Sequence, residues 1–207
     1  MTLGKTPVLS SVFDEETARA EVYGLLAALF YAAPTQVFYA NLRVAVTESP
    51  EPGAVLEVAW GELVAATRAM PLKDISDEFN GLFGGVGKPD VFLFGSHYLS
   101  GFLNEKPLAA LRTDLAALGL ARDAAMPETE DHVAYVCEVM RFLIAGDDVA
   151  LSNLTRQREF FSRHVLPWLP LMCEVLRAHP KARFYKTLAA FTESFISVEA
   201  QGFDMLA

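Results

Sequence analysis

Cysteine is scarce in this 207-residue chain: Cys137 and Cys173 stand alone, and neither belongs to a CxxC pair. That argues against a disulfide-stapled scaffold or a zinc ribbon. Both read as small apolar core residues in a reducing compartment. Basic residues are few as well, with 17 Lys and Arg against 26 Asp and Glu, a net charge of −9. Nucleic-acid binding relies on clustered Lys and Arg, so an acidic surface points away from it and toward a basic partner. Long apolar runs are missing. The longest, Val22 to Ala33, is about a dozen residues, well short of the roughly 20 that span a bilayer, and reads as a buried helix. The N-terminus has Lys5, Thr6, Pro7, Ser10 and Ser11 but no apolar h-region or small-residue cleavage site, so it does not read as a secretory signal. Cytoplasm is the expected location, with only indirect membrane contact.

What is present is apolar and helical. Apolar residues make up 52% and charged residues 21%, enough to bury a core and too little charge for general disorder. Val22, Leu25, Leu26, Leu29 and Phe30 share one helix face after the candidate caps Ser11 and Asp14, and Pro34 ends the run. Helices are expected over Gln36–Val46, over Ala54–Ala69 after a break at Glu51-Pro52-Gly53, and from Asp74 or Ser76 with Ile75, Phe79, Leu82 and Phe83 on one stripe. Gly84 to Asp90, with three glycines and Pro89, cannot continue that helix. Helix resumes near Ser96, pauses before Lys106-Pro107, and runs through Leu118 to a C′ glycine, Gly119. Met126 to His132 opens a helix striped by Val133, Val136, Cys137, Met140, Leu143 and Ile144, closed by Gly146. Asp147 or Asp148 is expected to cap the next helix, which carries Phe160 and Phe161. Pro167 and Pro170 mark another start or kink. The last helix, from Arg183, stacks Phe184, Leu188, Phe191, Phe195 and Val198. With no strand pattern or repeat, this is an all-α chain, one globular domain of about ten helices over residues 1–207, with 1–13 expected to be flexible.

Familiar catalytic and metal patterns fail at specific positions. Gly87-Lys88 resembles the end of a P-loop, but Leu82 and Pro89 stand where the motif needs Gly and Ser or Thr. Glu-x-x-His pairs for a di-iron site are absent, because Phe94, Thr129, Phe161 and Leu176 precede the four histidines by three. HExxH, GxSxG and GxGxxG are missing too. A lone His164 on a mainly apolar helix reads as a surface or hydrogen-bonded residue. No catalysis, cofactor or metal is expected. Glu128, Glu130 and Asp131 gather three carboxylates at a helix start. One reading is dipole complementation and capping. The other is an anionic site able to hold a guanidinium by bidentate hydrogen bonds. The two are compatible.

Taken in order, several elements resemble one family. They are Glu78-Phe79-Asn80-Gly81-Leu82-Phe83-x-Gly85, a proline-containing loop, Ser96-x-Tyr98, and a Leu111-Arg112 helix ending in Gly119-Leu120. Glu128-x-Glu130-Asp131-His132 with Glu138 and Met140 follows, then Arg158-Glu159-Phe160-Phe161-x-x-His164-x-x-Pro167-Trp168. Together they resemble the TorD/DmsD/NarJ family of redox-enzyme maturation chaperones over about residues 14 to 200. The resemblance implies a TorD-like all-α fold. It also implies a cytoplasmic chaperone for the catalytic subunit of a molybdenum-containing oxidoreductase, held as apo-enzyme by its basic twin-arginine signal peptide until its cofactor is inserted. Homodimers, including domain-swapped ones, occur in such a family.

Carried over by position, Glu130, Asp131 and His132 belong to the peptide site, Phe79, Leu82 and Phe83 to its apolar wall, and Pro89, Ser96 and Tyr98 to its loop. The loop departs from the family's proline-rich pattern, having only Pro89 before Val91-Phe92-Leu93-Phe94. Asp131 is expected to take a client arginine at an exposed site, beside a neutral His132. The loop from Gly84 to Gly95 is expected to be mobile until a partner orders it. Two other readings stay open: a weak nucleotide hydrolase using the glycine loop with Asp131 and His132, and a permanent assembly subunit of a redox complex.

Overall fold

Alternating apolar stripes and helix breakers yield ten helices among the residues that the computed structural model describes, which are 10–47, 55–84, 87–123 and 125–205. They are α1 (Ser10–Tyr31), α2 (Gln36–Arg43), α3 (Glu57–Ala69), α4 (Leu72–Phe83), α5 (Gly95–Ser100), α6 (Lys106–Ala117), α7 (Val133–Ala145), α8 (Leu154–His164), α9 (Leu169–Ala178) and α10 (Phe184–Met205). No strand occurs among the described residues. The all-α expectation holds.

Most starts follow their chemistry. Pro107 and Pro170 sit in the first turns of α6 and α9, where a missing N–H costs nothing. α1 is already helical at Ser10, so it begins before the expected caps Ser11 and Asp14 and within the segment expected to be flexible. The Glu51-Pro52-Gly53 break lies outside the described residues, as do Gly85 and Val86 of the glycine loop. Neither Asp147 nor Asp148 caps α8. Asn153 does, its side chain accepting from Arg156 N at 3.1 Å, while Asp148 closes a turn onto Ala150 N at 2.9 Å.

The core is built along α1 and α7, which pack lengthwise, and α10, which contacts α9, α3 and α4; α5 fits between α6 and α9. Leu26, Leu29 and Phe30 of α1 are wholly buried, as are Met140 and Leu143 of α7 and Phe184 and Leu188 of α10. Cys137 and Cys173 are free and buried, and burial pushes both thiols up, away from reactive thiolate. Near the end of α10 the core position belongs to Glu199 and not to Val198, which is half-buried. Glu199 accepts both Arg19 Nε (2.7 Å) and Arg19 Nη2 (2.9 Å), and Tyr23 Oη donates to it at 3.1 Å.

The expectation of a mobile loop from Gly84 to Gly95 fails in its second half. Val91 and Leu93 point inward and are buried, with Phe92 and Phe94 half-exposed between them. This is the period-two pattern of an extended segment. Its backbone is tied at three points: Val91 N to Leu82 O (2.9 Å), Val133 N to Leu93 O (2.8 Å), and Gly95 N to Asp131 O (2.9 Å). The Val91, Gly95 and Val133 amides are therefore expected to exchange slowly in the free protein. Exchange of these amides at solvent rates would return the whole loop to the mobile class.

Candidate functional site

The motif elements converge on α5, a helix of six residues too short to stand alone. Its entry runs antiparallel to the residues before α7, forming an isolated bridge between Phe94 and His132. Asp131 accepts the Ser96 backbone N–H on Oδ2 at 2.8 Å and the Thr129 hydroxyl on Oδ1 at 2.6 Å. A carboxylate on the orphan N–H groups of a first turn stabilises that turn. The other side of α5 is Trp168. A Cβ on Gly95 would sit 3.0 Å from its indole, so any larger residue there would require the buried ring to give by a few tenths of an ångström. Tyr98 stacks on the indole at 6.0 Å and donates to Phe92 O at 2.8 Å, while Trp168 Nε1 donates to His164 O at 2.6 Å. The Ser96 hydroxyl is buried without a hydrogen-bond partner, so Ser96 contributes its backbone N–H and its small size.

Asp131 is thus not exposed, as the sequence suggested, but 4% accessible with both oxygens engaged. Glu130 is engaged as well, by Arg112 at 2.8 Å and Arg122 at 3.8 Å. Partial burial, the largest single influence, works to raise the Glu130 carboxyl, but the Arg112 hydrogen bond, a backbone hydrogen bond and the charges of Arg112 and Arg122 together outweigh it and hold the group below the usual range. Leu82 is wholly buried core and not an exposed wall. Phe79 and Phe83 remain half-buried, edge-on to each other at 5.2 Å and packed on Tyr185. Pro89 is half-exposed at the loop's tip. Lys88 lies over the Phe92 ring at 5.6 Å.

His132 is the N-cap of α7, its Nδ1 accepting the Ala134 N–H at 3.2 Å. That contact requires an unprotonated Nδ1. Burial pushes the imidazole down to about 4, against the opposing pull of Asp131. The ring sits edge-on to Phe94 at 5.1 Å and to Tyr31 at 6.3 Å. Between about pH 6.5 and 4 the unfolded chain binds a proton on this residue that the folded chain refuses, so folding stability should fall as pH falls through that window. His132→Asn keeps a capping acceptor and removes the titration. Urea unfolding at pH 7 and pH 5 should show a smaller loss for the variant than for the parent, and equal losses would assign the acid sensitivity elsewhere.

Two functional-motif residues gain roles that spacing could not show. Glu78 accepts the backbone N–H groups of Arg183 (2.8 Å), Phe184 (3.1 Å) and Tyr185 (2.8 Å), capping α10 from another helix. His164 Nε2 lies 2.7 Å from Asp114 Oδ2, which Arg163 also contacts at 2.9 Å, so α6 and α8 are joined through one carboxylate. Among the described residues, no group of three or more His, Cys, Asp or Glu could hold a metal ion, and no helix is long and apolar enough to cross a membrane.

Comparison with known proteins covers most of the chain. The family model described as nitrate reductase delta subunit matches residues 50–174. The "Chaperone protein TorD" of Vibrio cholerae serotype O1 is 26% identical over 204 residues, covering 91% of this chain and 93% of the relative. That of Shewanella loihica is 25% identical over 207 residues, covering 89% and 92%.

Proposed function

The chain belongs to the TorD/DmsD/NarJ family of redox-enzyme maturation chaperones, and from that premise we propose that it binds the basic, apolar N-terminal region of a molybdoenzyme catalytic subunit. It holds that subunit in the cytoplasm, away from export or assembly, while the cofactor is inserted, and it acts by binding and not by catalysis. The observation that carries this reading is the extent of the match to the TorD chaperones, nearly end to end in both chains. The net charge of −9 supports it, since a twin-arginine peptide is basic and would be steered by an acidic surface. Within the site, Asp131, His132, Ser96 and Leu82 form the frame, with Glu130 fixed to its arginines. Phe79, Phe83, Pro89 and Tyr98 keep the accessible surface that a peptide can touch.

Calorimetric titration of the protein with a synthetic twin-arginine peptide at two ionic strengths tests the reading. Binding should weaken as salt rises, because charges near a surface are screened over about 8–10 Å at physiological salt. No binding at either salt would defeat it. The description of the matching family as a subunit favours a second reading, a permanent assembly component. Copurification with active enzyme supports that one, and copurification with apo-enzyme alone supports the chaperone.

A further inference from the structure

Two of the carboxylates that the sequence offers to a client's arginine are already committed, Asp131 to α5 and Glu130 to two arginines of this chain. Another group beside the motif cluster already carries a cation. The Lys88 ammonium stands over the Phe92 ring, 5.6 Å from its centroid. It joins no carboxylate among the described residues, although the chain has 26 Asp and Glu. Asp90, two residues away, is held by Lys181 of the α9–α10 turn at 2.8 Å. The seat of this lysine is an aromatic ring. Phe92 is itself fixed: Tyr98 Oη donates to its carbonyl at 2.8 Å, and the preceding Val91 N–H donates to Leu82 O at 2.9 Å. His97 stacks on the ring at 4.2 Å with a 30° tilt, and Tyr98 stands edge-on to His97 at 5.0 Å. Phe92 remains half-exposed, and the side chain over it is an exposed lysine.

We infer that the Phe92 ring is a seat for an arginine of the client, occupied in the free protein by Lys88. The inference rests on the twin-arginine reading and gives one guanidinium a place apart from the Asp131 frame. The negative face of an aromatic ring attracts a cation. A planar, weakly hydrated guanidinium stacks there better than a compact, strongly hydrated ammonium. Exchange therefore favours an incoming arginine, and the displaced Lys88 returns to water. Lys88 is an internal competitor, which holds the seat against a client lysine and yields it to arginine.

The probes are two peptides, alike except that one has two consecutive arginines where the other has two lysines, titrated into the full chain. The parent should bind the arginine peptide severalfold tighter. Phe92→Leu should weaken the arginine peptide about two- to tenfold, the range of one exposed cation–π contact, and bring the two affinities together. Lys88→Gln should strengthen the arginine peptide more than the lysine peptide. Equal strengthening of both would reflect the loss of one positive charge and would overturn the seat. This exposed change keeps the test alive if Phe92→Leu fails to fold. NMR reads the seat directly. The Lys88 ε-methylene protons should lie upfield in the free protein, under the Phe92 ring current, and return to ordinary lysine positions on saturation with the arginine peptide. Arginine-peptide binding that leaves those protons and the preference of both variants unchanged overturns the seat while the chaperone reading stands. Ordinary proton positions in the free protein would overturn it too. Absence of any binding by the parent protein removes both readings.

Discussion

Replacing Glu199 with alanine should destabilise the protein by about 3–5 kcal/mol, the cost of leaving one member of a buried ion pair without its partner. Glu199 is 4% exposed and its Arg19 partner 16%, so neither charge is well solvated. Both Glu199 oxygens are occupied by the Arg19 guanidinium, and Tyr23, itself wholly buried, adds a third hydrogen bond. The truncation would strand a cation and a phenol between α1 and α10, the two longest helices. Typical domains have only about 5–15 kcal/mol of stability in total, so the loss should be visible as a large shift in the urea midpoint. Removing both charges with well-packed apolar residues, Arg19→Met with Glu199→Leu, should recover part of it, because the pair's Coulomb energy mainly offsets its own desolvation while the Tyr23 hydroxyl still lacks its acceptor. A single-variant loss under about 1 kcal/mol would show that water reaches the pair and that it behaves as a surface bridge.

Glu199 also marks where a one-dimensional reading stops. Helical periodicity named Phe184, Leu188, Phe191 and Phe195 correctly, since their burial follows from spacing and apolarity alone. It continued to Val198 because a carboxylate is an unfavourable core residue unless a cation joins it, and that cation lies 180 positions away. Glu78 is the same case: its three N–H donors are more than a hundred residues distant. The loop differs, because its signal was local. Val91-Phe92-Leu93-Phe94 is a short continuous apolar run of strand-forming residues, and the weight given to neighbouring glycines concealed it, while the alternation of its burial shows only in the fold. The motif order was legible. What the motifs do was not, because Asp131, Ser96 and Trp168 acquire their meaning only when α5, α7 and the start of α9 meet.

Asp131→Ala is expected to cost about 2–4 kcal/mol, since it removes a charge-assisted bond and leaves the buried Ser96 N–H without an acceptor. Asp131→Asn keeps the shape and one acceptor, and should cost about 1–2 kcal/mol, with the Thr129 hydroxyl poorly matched. Because Asp131 holds the first turn of α5, both changes should loosen the Ser96 and Gly95 amides in hydrogen exchange before the whole chain unfolds. Twin-arginine peptide affinity should fall in step with that loosening, as the Tyr98 and Phe92 surface loses its support. Exchange rates and calorimetric affinities measured on the same two variants separate this indirect role from direct recognition. If Asp131→Asn melts like the parent, protects Ser96 like the parent and yet loses the peptide, then Asp131 leaves its internal partners to grip the client's arginine. The frame assigned to it here would then be wrong.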